Sequence, residues 1–506
     1  MKFKKALIAR LLAFWGGPFV ALIFIIFFDL EPGKPAITRT AAVALWMALW
    51  WITEIIPLAA TALLPLVLFP LLNIMPGKQV APVYFNHIIV LFLGGFIVAI
   101  AMERWNLHRR IALKMMIWIG TSPPRIILGF MSATAFLSMW ISNTATTMMM
   151  VPIAIAVISK MTDMFDTAEV RRFSIGLLLG IAYSASLGGM ATLIGTPPNL
   201  IFVRIFEIHF PKAPEVSFAQ WMIFATPLSL FFFIIVWLIL IRIYSPNKGQ
   251  FAGDSNIFKE EYQKLGRISY EEKVVLIDFI VLGLLWLTRN NIHLGHFTIP
   301  GWSSLFPAGE AIDDGTVAIT MALLLFLIPA KNTSNTNIMD WRSLRNLPWN
   351  IVLLFGGGFA LAAAFKESGL SKWIGGHLEG LSSLHPFFII ICICAMLTFL
   401  TELTSNTATA NMILPILASI AVAIKLNPIL LMIPVTLSVS CAFMLPVATP
   451  PNAIIFGTQK LKVSDMARTG IILNLIGIVL ITLFMYFWGR WIFEIRLDVF
   501  PNWGNQ

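Results

Sequence analysis

Two pentapeptides, Ser142-Asn143-Thr144-Ala145-Thr146 and Ser405-Asn406-Thr407-Ala408-Thr409, set hydroxyl and amide oxygens in the middle of otherwise apolar stretches. Uncharged oxygens in a dry setting suit two tasks, caging a small hard cation and hydrogen bonding a carboxylate. A second matched pair follows each of them, Gly195-Thr196-Pro197-Pro198-Asn199 and Ala448-Thr449-Pro450-Pro451-Asn452. Consecutive prolines remove two backbone donors, so each of these segments reads as a point where a helix unwinds and frees carbonyls. Carbonyls from the break, with Ser and Asn oxygens from the neighbouring motif, would complete one sodium cage in each half. The half-helix N-termini at the breaks are expected to turn N–H groups and positive dipole ends toward an anion.

Either motif alone reads more simply as interhelical hydrogen-bonding glue or as a kink. One shift relates them, however: 405 − 142 = 263, which also carries Pro152 onto Pro415, Phe96 onto Phe359, Gly94-Gly95 onto Gly357-Gly358 and Ser138 onto Thr401. Four polar breaks matched two by two argue for a binding site built from two related halves. The register breaks after Pro152/Pro415, where the first half carries a longer charged loop, Lys160 to Arg172. No Lys or Arg lies in the motifs. A bound anion would therefore be held by neutral donors and dipoles, with bound cations offsetting its charge.

The remaining polar residues carry weaker signals. Glu54 and Glu402 are the ionisable residues expected deepest in the bilayer, and Glu402 has no partner under the shift, since 402 − 263 = 139 is Met139. Such a carboxylate is a functional candidate by default, and an acceptor for a neighbouring helix terminus is the plainer alternative. His87 and His108 read as facing the interface, and Gly94-Gly95 and Gly356-Gly357-Gly358 as close helix packing. Trp46, Trp50 and Trp51 read as interfacial anchors or oligomer contacts. Cys392, Cys394 and Cys441 lack nearby histidines and read as packing residues.

The elements that must hold these motifs are membrane helices. Of 506 residues 58% are hydrophobic and only 12% charged, which defines an all-α polytopic membrane protein. The net charge of +10 is scattered among short loops, which argues for a lipid surface and against nucleic acid. The N-terminus has a basic flank (Lys2, Lys4, Lys5, Arg10) before the apolar run Leu11 to Phe28, read as a retained first helix. Eleven crossings are expected, near 11–29, 40–56, 58–74, 88–103, 175–208 (broken), 218–243, 273–289, 314–331, 350–366, 428–457 (broken) and 468–490. Two segments, 123–160 and 385–425, are too polar at their centres to span and read as re-entrant hairpins. Excess Lys and Arg in alternate loops puts the N-terminus in the cytoplasm and the C-terminus outside. Arg104, Arg109, Arg110 and Lys114 are expected on a helix lying along the inner surface. Five crossings separate the starts of the two copies, and an odd number makes them inverted repeats. The expected organisation is scaffold helices 1–87, a first repeat 88–243, a cytoplasmic linker 244–272, further scaffold 273–349 and a second repeat 350–506.

No phosphate loop, nucleophile elbow or metal-protease helix is present, so nothing points to enzyme chemistry. The paired Ser-Asn-Thr and Thr-Pro-Pro segments resemble those of the divalent anion/sodium symporter family, over nearly the whole chain. The resemblance implies a homodimer with a scaffold part and a moving transport part, working by elevator-like alternating access. It implies a first sodium site at Ser138, Ser142, Asn143 and Gly195 and a second at Thr401, Ser405, Asn406 and Ala448. Substrate carboxylates would meet Ser142, Asn143, Thr144, Ser405, Asn406 and Thr407, with Thr196, Pro197, Thr449 and Pro450 shaping the pocket. The expected activity is sodium-coupled uptake of a C4 dicarboxylate such as succinate, malate or fumarate. A sodium-independent dicarboxylate exchanger and a sulfate or citrate carrier are the alternatives within the same fold.

Overall fold

The computed structural model describes residues 2–162, 166–245, 256–294, 297–331, 337–377, 380, 384–497 and 499–504. Helix dominates it, because lipid offers no partner to an unpaired backbone group. The chain begins with α1 (Lys2–Phe27) and α2 (Pro35–Thr53), packed against each other. Trp50 donates to the Phe14 carbonyl at 3.1 Å, and the fully buried Trp51 donates to the Leu58 carbonyl at 3.1 Å. Two of the tryptophans expected as interfacial anchors are thus internal struts. The stretch 58–74 also departs from expectation: it forms α3 (Leu58–Thr61) and α4 (Leu64–Leu71), of 4 and 8 residues. At about 1.5 Å per residue neither crosses a core of roughly 30 Å, and Pro65, in the first turn of α4, follows directly on the break between them.

After α5 (Gly77–Val80), α6 (His87–Arg104) leads into α7 (Leu107–Ile119) through Asn106, whose φ of +57° turns the chain. The first hairpin follows as α8 (Pro123–Ser138) and α9 (Asn143–Thr162), then a helix broken into α10 (Thr167–Ala191) and α11 (Pro197–His209). Next come α12 (Phe218–Tyr244), α13 (Asn256–Lys264) and α14 (Tyr270–Leu287), the last started by a Ser269/Glu272 capping box. A short antiparallel pair, β1 (Ile292–Leu294) and β2 (Phe297–Ile299), precedes α15 (Asp314–Leu327). The second half repeats the plan with α16 (Trp349–Ser368) and α17 (Leu370–His377), then a hairpin of α18 (Pro386–Leu400) and α19 (Asn406–Ala423). A second broken helix, α20 (Pro428–Ser438) and α21 (Pro450–Gly457), leads to α22 (Val463–Phe484). Among the described residues 8 helices are long and apolar enough to cross a membrane. Of the pieces of the two broken helices, α10 is among these 8, whereas α11, α20 and α21 are shorter, at 13, 11 and 8 residues.

Side-chain contacts divide the molecule into two faces. On one, Arg109 pairs with Glu261 of α13 at 2.6 Å, Arg104 pairs with Asp340 at 2.9 Å, and Trp105 donates to the Ile338 carbonyl. Arg110 is buried there, meeting both carboxylate oxygens of Glu272 at 3.0 Å. Arg109 and Arg110 therefore clamp the linker onto α7, and the buried Arg110 is the stronger tie, since a buried guanidinium needs a carboxylate partner. Residues 246–255 of the expected linker lie outside the described residues. On the opposite face Trp373 of α17 donates to the Leu30 carbonyl, and Lys366 reaches the Ile208 carbonyl, both at 2.8 Å. Hence α6 ends, and α16 starts, on the linker-bearing face, which is the geometry of an inverted pair.

Glycine packing locks the first repeat to α15. A Cβ on Gly94 would lie 2.6 Å from the backbone carbon of Ala318, so α6 and α15 touch backbone to side. Replacement Gly94→Ala is expected to cost about 1–3 kcal/mol through overpacking. Its thermal midpoint in detergent should fall by several degrees, whereas Gly16→Ala, with open space around it, should leave the midpoint in place.

Candidate functional site

The site begins with four helix starts. Asn143 opens α9, Pro197 opens α11, Asn406 opens α19 and Pro450 opens α21. Their N-termini converge on one cavity of about 680 Å³, lined by Ser142, Asn143 and Thr144, by Gly195 to Pro198, by Ser405, Asn406 and Thr407, and by Ala448 to Pro451. Every residue expected to touch substrate lines this single chamber. Ser138 and Thr401 sit fully buried behind it, one turn below their motifs. The two halves exchange partners around it: α21 packs against α9 and α10, while α11 packs against α19 and α20. The chamber opens toward the linker-bearing face, where Leu403 and Val447 are 70% and 80% exposed at its mouth.

The prolines do a different job from the one expected. Thr196 and Thr449 take almost identical extended conformations (φ −142° and −141°) as N-caps, with the proline pairs in the first turn. There the missing N–H groups are ones a helix leaves unpaired anyway. The unwinding lies upstream, at residues 192–196 and 439–449. The consequence is that α11 and α21 bring dipole ends but no N–H at their first two positions. Donation to an anion falls to α9 and α19, whose first turns begin Asn-Thr.

What keeps the breaks open was not identified from sequence. Asn199 Nδ2 donates to the carbonyls of Gly189 (3.1 Å) and Thr192 (2.7 Å). Asn452 Nδ2 donates to those of Ala442 (2.9 Å) and Leu445 (3.0 Å). The correspondence is residue for residue, at 452 − 199 = 253, 442 − 189 = 253 and 445 − 192 = 253. The available signal was the fifth position of each Thr-Pro-Pro segment.

Glu402 also acts on the break. Its Oε1 accepts from the N–H groups of Phe443 (2.8 Å) and Met444 (2.9 Å), and its Oε2 from that of Leu445 (3.0 Å). Asn474 Nδ2 supplies a fourth donor at 2.7 Å. The carboxylate is therefore a staple for the second unwound loop, the plainer of the two sequence readings. At the matching place in the first half, the Thr192 hydroxyl donates to the Met139 carbonyl and accepts from Gly195 N–H. His87 pairs with Glu207 at 3.1 Å, and His108 bonds the Met102 carbonyl, both away from the chamber.

The two expected cages differ. In the first, Asn143 Oδ1 and Ser138 Oγ are buried without a partner. A Cβ on Gly189 would lie 2.8 Å from Asn143 Oδ1 and 3.1 Å from the Gly195 carbonyl oxygen, so the bare glycine leaves a cradle beside both oxygens. In the second, Thr401 Oγ1 donates to Asn406 Oδ1 at 2.6 Å and also lies 2.9 Å from the Val439 carbonyl. The Asn406 amide oxygen, unlike that of Asn143, therefore already has a donor. Position 442, the counterpart of Gly189, is alanine.

Inverted hairpins and broken helices closing on one polar chamber define the architecture of a secondary transporter. The comparisons name the family. The chain belongs to the family described as the sodium:sulfate symporter transmembrane region, which it matches over residues 18–495. It is 44% identical over 477 residues to the sodium-dependent dicarboxylate transporter SdcS of Staphylococcus saprophyticus, covering 93% of this chain and 90% of that one. It is 45% identical to the SdcS of Staphylococcus aureus strain NCTC 8325, covering 93% and 89%. Among solved structures it resembles Neisseria gonorrhoeae MtrF, with a TM-score of 0.57 at 16% identity, covering 95% of this chain and 99% of that one. It likewise resembles the Alcanivorax borkumensis YdaH transporter, with a TM-score of 0.56 at 13% identity over 89% and 98%. These two likenesses concern the fold alone.

Glu402→Gln places an amide N–H against backbone donors and removes an ionic acceptor. It is expected to lower the thermal midpoint by more than Met139→Leu does, since bonds to a charged group are worth about 1.5–3 kcal/mol each. Equal midpoints for the two variants would contradict the staple.

Proposed function

We propose that this protein couples inward sodium flow to uptake of C4 dicarboxylates, succinate, malate or fumarate. The observation that carries the reading is one chamber holding both Ser-Asn-Thr motifs and no Lys or Arg among its described lining residues. Two carboxylates in such a chamber receive N–H groups from α9 and α19 and the dipole ends of four helices. Those contacts alone do not compensate a dianion taken out of water, so its binding requires monovalent cations close by. Sodium would be held by Ser138, Ser142, Asn143 and Gly195 in the first half and by Thr401, Ser405, Asn406 and Ala448 in the second. The name of the staphylococcal relatives supports both the ion and the substrate class.

The proposed movement is of elevator type. Both hairpins and both broken helices would travel as cargo carriers, against a scaffold drawn from residues 1–87 and 273–349. The linker-bearing face would be cytoplasmic, with the N-terminus inside and the C-terminus outside, and the chamber would stand open to the cytoplasm. Two copies would assemble through their scaffolds as a homodimer in the cell membrane.

Uptake of radiolabelled succinate into proteoliposomes, with sodium, potassium or lithium outside, tests the coupling. Sodium should support uptake far better than the other two, and equal rates in all three would defeat symport. Unlabelled malate and fumarate should compete, and stronger competition by sulfate or citrate would move the substrate assignment to those anions. Gly189→Ala fills the cradle beside Asn143 and Gly195. The sodium concentration for half-maximal uptake should rise about tenfold, in keeping with how sharply cage size tunes affinity for a hard cation.

A further inference from the structure

The chamber is not without charge. Among the described residues that line it Glu54 alone is ionic, and its sign is that of the proposed substrate. It lies at the mouth, at the C-terminal end of α2, beside Thr53, Leu58 and Asn350. Its side chain is exposed, and among the described residues it has no ion-pair partner. Glu402, the other acid near the site, differs in kind, because four N–H donors absorb its charge. The field of Glu54 is free to act on whatever passes.

Glu54 adopts φ +46°, ψ +34°, the left-handed conformation in which many helices end, and which Lys425, Gln459 and Glu494 also adopt in this chain. The turn ends α2 at the rim of the chamber and fixes where the carboxylate stands. The residue sits on α2, whose Met47 and Trp51 lie in a small hydrophobic cluster with Leu354, Ala360 and Leu361 of α16 and Ala408 of α19, outside the main core that holds α8, α10 and α20.

We propose that Glu54 is a sorting charge on the linker-bearing face: it concentrates monovalent cations at the mouth and opposes re-binding of a dianion from that side. Low-dielectric walls focus such a field along a narrow path, so one carboxylate changes local ion concentrations severalfold. Because Glu54 sits on an element separate from the hairpins, it acts only while the chamber opens toward it. The result is a transporter that releases its anion on this face more readily than it takes it up there. The inference rests on the dianion reading of the chamber.

The test is transport by the full-length protein in proteoliposomes of defined orientation, with substrate and sodium varied on each face separately. On the linker-bearing face Glu54→Gln should lower the KM for succinate about three- to tenfold and raise the sodium concentration for half-maximal transport by a similar factor. On the opposite face both values should match wild type, and 0.5 M choline chloride should shrink the difference by screening. Glu54→Asp, which keeps the charge, should behave as wild type on both faces. If Glu54→Gln does not fold, Glu54→Asn carries the test, since asparagine suits the left-handed backbone. Unchanged constants on both faces, or equal changes on both, overturn the proposal. If wild type moves no dicarboxylate, the functional reading fails by itself, and the same two-face measurement with sulfate still decides the role of Glu54.

Discussion

A helix cannot stop halfway through a membrane unless something satisfies the backbone groups its break exposes. In this protein that duty falls on two asparagines. Asn199 and Asn452 each reach back across an unwound segment and donate twice to carbonyls seven and ten residues earlier. Without them the loops carrying Gly195 and Ala448 would either collapse into helix or leave buried acceptors bare, at about 1–3 kcal/mol each. Everything at the chamber, from the position of the Thr-Pro-Pro N-caps to the aim of four helix starts, follows from those loops staying open.

The two halves solve the same problem with unequal chemistry. The second loop also needs Glu402 and Asn474, because it runs longer, over residues 439–449 against 192–196, and exposes more N–H groups. The first uses the Thr192 hydroxyl, with Trp221 and Thr226 donating to the Met190 and Ala191 carbonyls. A similar inequality marks the oxygens beside the loops, where Asn143 and Ser138 are left unpartnered and Asn406 is engaged by Thr401. Inverted symmetry of the backbone therefore does not extend to the electrostatics of the side chains.

Much of this arrangement was legible before any coordinates. Hairpins at 123–160 and 385–425, and breaks near Thr196 and Thr449, stood out because polar residues in lipid are conspicuous and a repeat doubles the signal. The 263-residue shift paired Ser138 with Thr401, and the family resemblance gave the pair its expected role. Legibility ended where a residue's role depends on partners far along the chain. Glu402 meets groups 41 to 72 residues away, so its part as a staple has no local pattern. Proline pairs look the same in sequence whether they kink a helix or start one. Trp50 and Trp51 have the composition of an interfacial belt, and only packing against Phe14 and Leu58 distinguishes an internal strut. The span at 58–74 failed because hydropathy does not register Pro65, which follows the break between α3 and α4.

One contact joins the halves at their weakest point. The Tyr183 hydroxyl, on the unbroken part of α10, donates to the Phe443 carbonyl at 2.8 Å, and the Glu402 staple holds the N–H of that same residue. With its ring also set edge-on against Phe443, this tyrosine works as a crossbar between α10 and the second unwound segment. Neither can shift by itself without tearing a hydrogen bond in a dry interior. The two halves are thereby tied to one another beside the chamber, like two berths on a single frame.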